Sequence, residues 1–190
     1  VDAQVLARAA GMAGPGVLPQ ALLDVVAPTR VRDPVAPGVA ARREGRSVDL
    51  EAAVQDARAL GRVNEVLVVE GAGGVLVPLT PALDLVSMLG LPAVVVARTA
   101  LGTINHTALT VGALKARGIR VAGIILNRVD LSHELPDDDL LDAISGVAGL
   151  RPVASVPHVQ GSEAITVGTA ARVLEQENAW ERMGLGVPPG

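Results

Sequence analysis

The sequence predicts an α/β protein built on a parallel sheet with helices over both faces. Two observations carry this prediction. Three short runs of β-branched and aliphatic residues, VLVV (66–69), AVVVA (93–97) and VAGIIL (121–126), show no alternation with polar residues. That is the pattern of strands buried on both faces, as parallel strands are. Between the second and third run lies TINHTALTVGALKARG, a helical stretch of about 14 residues with Gly118 where a glycine commonly ends a helix. Strand, helix, strand at this spacing is a βαβ unit.

The elements follow in order. Residues 1–10, VDAQVLARAA, have helical character, with Asp2 at an N-cap position and Gly11 as the stop. From Gly14 to Gly38 the chain is rich in Pro and Gly, which predicts irregular surface structure or short helices. Pro37 opens a short helix that ends near Gly45, and VDLEAAVQDARALGR forms a longer one with apolar residues at helical spacing. After the third strand, DDDLLDAISGVAG reads as a helix and PVASV as a fourth strand. Acidic residues in a first turn favour the positive end of the helix dipole, so Asp137, Asp138 and Asp139 read as capping and solubility rather than a metal site. Lys115 falls mid-helix and reads as a solvated surface charge. Residues 1–190 read as a single domain without internal repeats, closing on a flexible tail from Gly184 to Gly190.

Composition excludes several functions. Of 190 residues 16 are basic and 20 acidic, a formal charge of −4, and 49% are hydrophobic, so a sizeable core is available. Phe, Tyr and Cys are absent and Trp180 is the sole aromatic residue, so burial rests on Val, Leu, Ile and Ala. Without cysteine there is no disulfide framework, zinc–thiolate site or iron–sulfur cluster, and single-stranded nucleic acid would find no stacking rings. An acidic chain whose one lysine is Lys115 also argues against binding a phosphate backbone. Mean hydropathy is +0.43, yet no uncharged apolar run reaches about 18 residues, the threshold for a spanning helix. No basic segment followed by an apolar stretch opens the chain, so no signal peptide is expected. The reading is a soluble, cytoplasmic protein with small-molecule ligands, no nucleic acid and no membrane.

Three constellations could carry chemistry. In VLVVEGAGGVLVPL (66–79) an apolar run ends on Glu70 and opens into a glycine-rich turn. Ligands of open parallel sheets bind at the carboxyl ends of strands, where a carboxylate can hold Mg²⁺ directly or through water. Gly71, Gly73 and Gly74 let a ligand approach the backbone closely; the alternative is a plain strand-to-loop turn with Glu70 solvated. The second constellation, Gly102-Thr103-Ile104-Asn105-His106, starts a helix, and unpaired N–H groups there suit a carboxylate or phosphate; ordinary capping by Thr103 is the alternative. Third, Asn127 ends GIILN at the sheet edge expected for Glu70 and Gly102, where its amide suits the N6/N7 edge of adenine or simply marks a turn. His106, His133 and His158 have no metal-ligand spacing.

At these residues the sequence resembles dethiobiotin synthetase, an ATP-dependent ligase family of biotin synthesis. The matching stretches are DAQVLARAAG, DPVAPGVAARREGRSVDL, VEGAGG followed by VPL, VARTALGTINHTALT, AGIILN and SVPHV. They cover residues 1 to about 165, and at these separations they are together highly specific. The resemblance implies a P-loop NTPase-like α/β fold, a homodimer, and conversion of 7,8-diaminononanoate, CO₂ and ATP into dethiobiotin. The route runs through a carbamate, its phosphorylated anhydride, and ring closure. It further implies that Asp2 and Glu70 are Mg²⁺ ligands, with Glu70 and the backbone of Gly71, Ala72 and Gly73 beside the ATP phosphates. Asn127, Arg128, Pro157, His158, Val159 and Glu163 would border the nucleotide, and Gly102, Thr103, Ile104 and Asn105 would receive the substrate carboxylate across the dimer interface.

One departure from the family stands out. Its opening strand, Gly-rich loop ending in Gly-Lys-Thr, and second strand with a further lysine have no counterpart here. Phosphoryl transfer rests on positioning and charge neutralisation, so the catalytic lysines are unassigned and this chain alone is expected to be inactive. The first residue is Val and the later motifs are intact, which favours a fragment whose N-terminal βαβ portion is missing. Two other readings are a non-catalytic regulatory or scaffold module of the same fold and a related ATP-dependent ligase domain of the cobyrinate-synthesis type.

Overall fold

The computed structural model of the chain describes residues 2–12, 18–71, 73–77, 85–128 and 138–186, apart from the side chains of Asp2 and Glu163. The chain divides into two compact units at Leu89/Gly90.

The first unit holds α1 (Asp2–Ala9), α2 (Gln20–Val26), α3 (Pro37–Arg43), α4 (Leu50–Val63) and α5 (Leu85–Leu89). Their ends follow local chemistry. Pro37 opens α3, where its missing N–H costs nothing. Asp49 caps α4 by accepting from the Ala52 N–H at 2.9 Å, a contact worth about 1 kcal/mol. Buried Ala41, Val48 and Leu50 form a small core, with Val31, Leu85 and Met88 packed on it.

The run VLVV, expected as a strand, is not one. Residues 66–70 belong to no strand; Val66, Val68 and Val69 are exposed, Val68 to 79%. Apolar composition supplies side chains for a strand, but a strand also needs a neighbour to complete its hydrogen-bond ladder.

The second unit carries the expected parallel sheet. Its strands β1 (Ala93–Arg98), β2 (Val121–Asn127) and β3 (Ala154–Val156) lie in the order β1-β2-β3, all parallel. The PVASV strand is thus three residues long. Val94, Val95 and Val96 pair with Gly123, Ile124 and Ile125, and Ile125 pairs with Ala154. Among the described residues of this unit the helices are α6 (Thr103–Ala116), α7 (Asp138–Ala148), α8 (Glu163–Gln176) and α9 (Ala179–Arg182).

Because alternate residues of a strand point to opposite faces, central β2 needs cover on both. Ile125 packs with Val153, Ala154, Ala179 and Met183, against which Trp180 and Leu185 also lie. Ile124 and Leu126, both fully buried, point the other way, and α6 packs against β1, β2 and α7. Buried Thr103, Thr107, Val111 and Leu114 fall on one face of α6 at helical spacing. The edge strand β1 is less covered, and Val96 is 63% exposed.

Helix α6 ends as expected. Gly118, at φ +71°, donates to Lys115 O at 2.9 Å and Ile119 donates to Leu114 O at 3.0 Å, the paired bonds of a left-handed helix stop. Lys115 is exposed, as expected, but its Nζ is engaged: it donates to Ala148 O at 2.8 Å, capping the end of α7, which packs on α6. One expectation needs correction. Gly184 and Leu185, expected in a flexible tail, donate to Glu181 O and Trp180 O at 2.9 Å, and Leu185 packs on the core; residues 187–190 lie outside the described residues. Asp138 in the first turn of α7 pairs with Arg151 at 2.8 Å, and Arg151 also bonds Asp142 one turn on; Asp137 lies outside the described residues.

Candidate functional site

The carboxyl ends of three adjacent parallel strands form the candidate site in the second unit. At β1 the chain leaves through Arg98 and Thr99 and turns into α6 at Gly102. At β2 it leaves through Asn127 and Arg128, and at β3 through Pro157, His158 and Val159. Main-chain bonds tie the three exits together. The Thr99 N–H donates to Asn127 O at 3.1 Å, and the Arg128 N–H donates to Val156 O at 3.0 Å. Asn127 and Arg98 are register partners, as are Asn127 and Val156.

The entry to α6 depends on one glycine. Gly102 is the N-cap at φ +89°, a region that side chains other than glycine's rarely enter. A Cβ there would also meet the His106 ring, 3.3 Å from Cε1. Around this turn the Thr103 N–H donates to Ala100 O at 3.0 Å and the His106 N–H to Gly102 O at 2.9 Å. The amides of Ile104 and Asn105 sit in the first helical turn, where no helix carbonyl precedes them and the dipole is positive. Gly102, Ile104 and Asn105 are exposed whereas Thr103 is buried. Such a helix start can receive an anion.

Residues on the β2 and β3 exits are half-buried: Asn127, Arg128, Pro157, His158 and Val159. A planar ring could be bordered there by an amide, a guanidinium and an imidazole. Glu163 is the first residue of α8, after Ser162.

The other expected ligands lie in the first unit. Asp2 is the first residue of α1. Glu70 is exposed on irregular chain, followed by exposed Gly71 and by Gly73 at φ +89°. At Gly73 a Cβ would stand 3.0 Å from Val77 Cγ2, a tight contact added to a φ that side chains rarely adopt. Ala72 lies outside the described residues. The structure therefore brings Gly102–Asn105, Asn127, Arg128 and Pro157–Val159 to one sheet edge, while Glu70 lies on no strand.

Sequence reasoning missed Thr99. It is 4% exposed, at the carboxyl end of β1 beside Asn127, and its Oγ1 has no hydrogen-bond partner among the described residues. An orphaned buried hydroxyl at a strand's carboxyl end is a costly feature. AVVVART places Thr99 just past the strand, but nothing in it marks that hydroxyl as unpartnered.

A family described as AAA domain matches residues 17–166. The chain is 50% identical over 141 residues to an ATP-dependent dethiobiotin synthetase of Anaeromyxobacter dehalogenans (strain 2CP-C), covering 73% of this chain and 58% of that one. It is 41% identical over 138 residues to the synthetase of that name from Bacillus licheniformis, covering 71% and 59%. With the one from Aromatoleum aromaticum it shares 38% identity over 172 residues, 87% of this chain and 72% of the relative. Against the four Anaeromyxobacter relatives the chain spans between 52% and 63% of their length.

Proposed function

From the premise that the chain belongs to the AAA domain family and to the ATP-dependent dethiobiotin synthetases, we propose that it serves the ring closure of 7,8-diaminononanoate with CO₂ to dethiobiotin, at the expense of ATP. The observation that carries this reading is the shared edge. The exposed helix start at Gly102–Asn105 stands beside the half-buried exits of β2 and β3, tied to them by the Thr99–Asn127 bond.

In this reading the amides of Ile104 and Asn105 hold the substrate's carboxylate, with the Asn105 side chain orienting it. Fixing that remote carboxylate sets where the diamine end lies, which is the usual use of binding energy away from the reacting atoms. Asn127, Arg128, Pro157, His158 and Val159 border the adenine, with Glu163 beside them. Glu70 and the backbone of Gly71, Ala72 and Gly73 lie near the phosphates. Glu70 and Asp2 are the proposed Mg²⁺ ligands: carboxylate oxygens suit a hard cation, and exposed Glu70 is accessible to one. When bound, Mg²⁺ neutralises phosphate charge. A homodimer, the second copy facing the α6 start, and a cytoplasmic setting complete the proposal. Among the described residues no helix is long and apolar enough to cross a membrane.

The 190 residues contain no Gly-x-x-x-x-Gly-Lys-Ser/Thr and a single lysine, Lys115, which is engaged with Ala148 O. The chain alone is therefore proposed to bind without turning over. Calorimetric titration tests the binding sites. Asn105→Ala should weaken 7,8-diaminononanoate binding about tenfold, as loss of a charge-assisted hydrogen bond does, and ATP binding by less than about twofold. Equal losses for both ligands overturn the assignment.

A further inference from the structure

Residues 30–46 carry five arginines against two acids, Asp33 and Glu44, in a chain whose formal charge is −4. Four of them, Arg30, Arg32, Arg43 and Arg46, line one open groove of the first unit, with Gln20 and Glu44 at its walls. Its volume is about 930 Å³, within the range of small-molecule sites.

The four guanidinium groups divide into two pairs. Arg30 and Arg46 are tied into the frame. Arg30 bonds Asp24 and donates to Ala27 O at 3.1 Å, and Arg46 donates to Arg30 O at 2.7 Å and to Glu44 at 2.5 Å. They fix the loop between α2 and α3. Arg43 pairs with Asp33 at 2.9 Å, and both side chains are about half exposed. An exposed pair of this kind contributes little and is readily exchanged for a competing anion. The Arg32 main chain donates to Glu44 at 2.8 Å, but its side chain is exposed and makes no ion pair with a described residue. Two guanidinium forks are thus available on a wall held by two others. Such forks match phosphate and carboxylate oxygens in bidentate fashion.

We propose that this groove binds a compact multivalent anion bearing phosphate or carboxylate groups, held by Arg32 and Arg43 on a frame fixed by Arg30 and Arg46. The proposal is independent of the synthetase reading, which uses other residues.

The test is calorimetric titration of the full 190-residue chain with inorganic pyrophosphate and, separately, citrate, at low ionic strength of roughly 20 mM, where exposed charges are least screened. One equivalent of at least one anion should bind. Binding of pyrophosphate alone identifies a phosphate ligand and of citrate alone a carboxylate ligand; binding of both supports the shared anion chemistry. Arg32→Gln with Arg43→Gln should raise the Kd at least about tenfold, Arg32→Gln alone by about threefold or more, and Arg172→Gln in the second unit should leave it unchanged. Because Arg32 makes no ion pair with a described residue, the single variant reports on the groove even where the double variant loses stability. Failure of both anions to bind, full binding by the double variant, or equal loss with Arg172→Gln overturns the proposal.

Discussion

Met183 Cγ stands 2.6 Å, and its Sδ 2.8 Å, from the point where a Cβ on Gly123 would project. The central strand β2 therefore runs against the end of α9 with room for a hydrogen and no more. This contact closes one face of the sheet whose far end carries the candidate site. Gly123→Ala should destabilise the protein by about 1–3 kcal/mol through overpacking. Adding Met183→Ala should recover part of that loss, so that the double variant is more stable than the sum of the single effects implies. Urea unfolding followed by Trp180 fluorescence reads both effects; strict additivity would contradict the packing account.

Lys115 joins two helices through Ala148 O, 33 positions away in sequence. Lys115→Met keeps the aliphatic stem but leaves that carbonyl without its charged donor. It should cost about 1–2 kcal/mol. An unchanged urea midpoint would return Lys115 to the role of solvated surface charge.

Glu44 accepts from the Arg32 main-chain N–H and from the Arg46 guanidinium, and these contacts, in that order, hold its carboxyl below its ordinary value. A lowered carboxylate pKa contributes stability that is present above the unfolded-state value, about 4.3, and is lost as pH falls through the folded-state value. Asp24 behaves alike, chiefly because of the Arg30 side chain. Between pH 6 and pH 3 the wild-type urea midpoint should therefore fall more steeply than that of Glu44→Gln. Parallel curves would show that the contact adds nothing.

The strands 93–98 and 121–127 were legible because uninterrupted aliphatic runs separated by a helix leave few arrangements besides a parallel pair. The run 66–69 has the same composition but is exposed, since composition carries no information about a ladder partner. Gly118 was readable because a positive φ at a helix end leaves few other residues possible, whereas at the start of α6 the sequence offered Thr103 as the cap and the cap is Gly102. Long-range polar contacts were not legible: the bond from exposed Lys115 to Ala148 O forms only once α7 is folded against α6. The arginine groove was hidden for the same reason, its side chains coming from a loop and a helix that only folding brings together. Of the candidate site, the β1, β2 and β3 exits could be placed at one edge from strand polarity alone. The orphaned Thr99 hydroxyl could not, because sequence does not say which hydroxyl goes without a partner.

Dethiobiotin formation from 7,8-diaminononanoate, bicarbonate and Mg·ATP is the most direct test of the proposed function. It should be measured for residues 1–190 and for the same chain joined to the glycine-rich phosphate-loop segment of a dethiobiotin synthetase. The prediction is no turnover by residues 1–190 and turnover by the fusion. The gain should be several orders of magnitude, since one arginine supplied to a GTPase site is worth roughly 10³–10⁵ in rate. A folded fusion that binds ATP but forms no dethiobiotin would contradict the synthetase reading in favour of a non-catalytic module or another ligase. Equal turnover by both would contradict the claim that turnover needs a glycine-rich phosphate loop and lysines that these 190 residues do not contain.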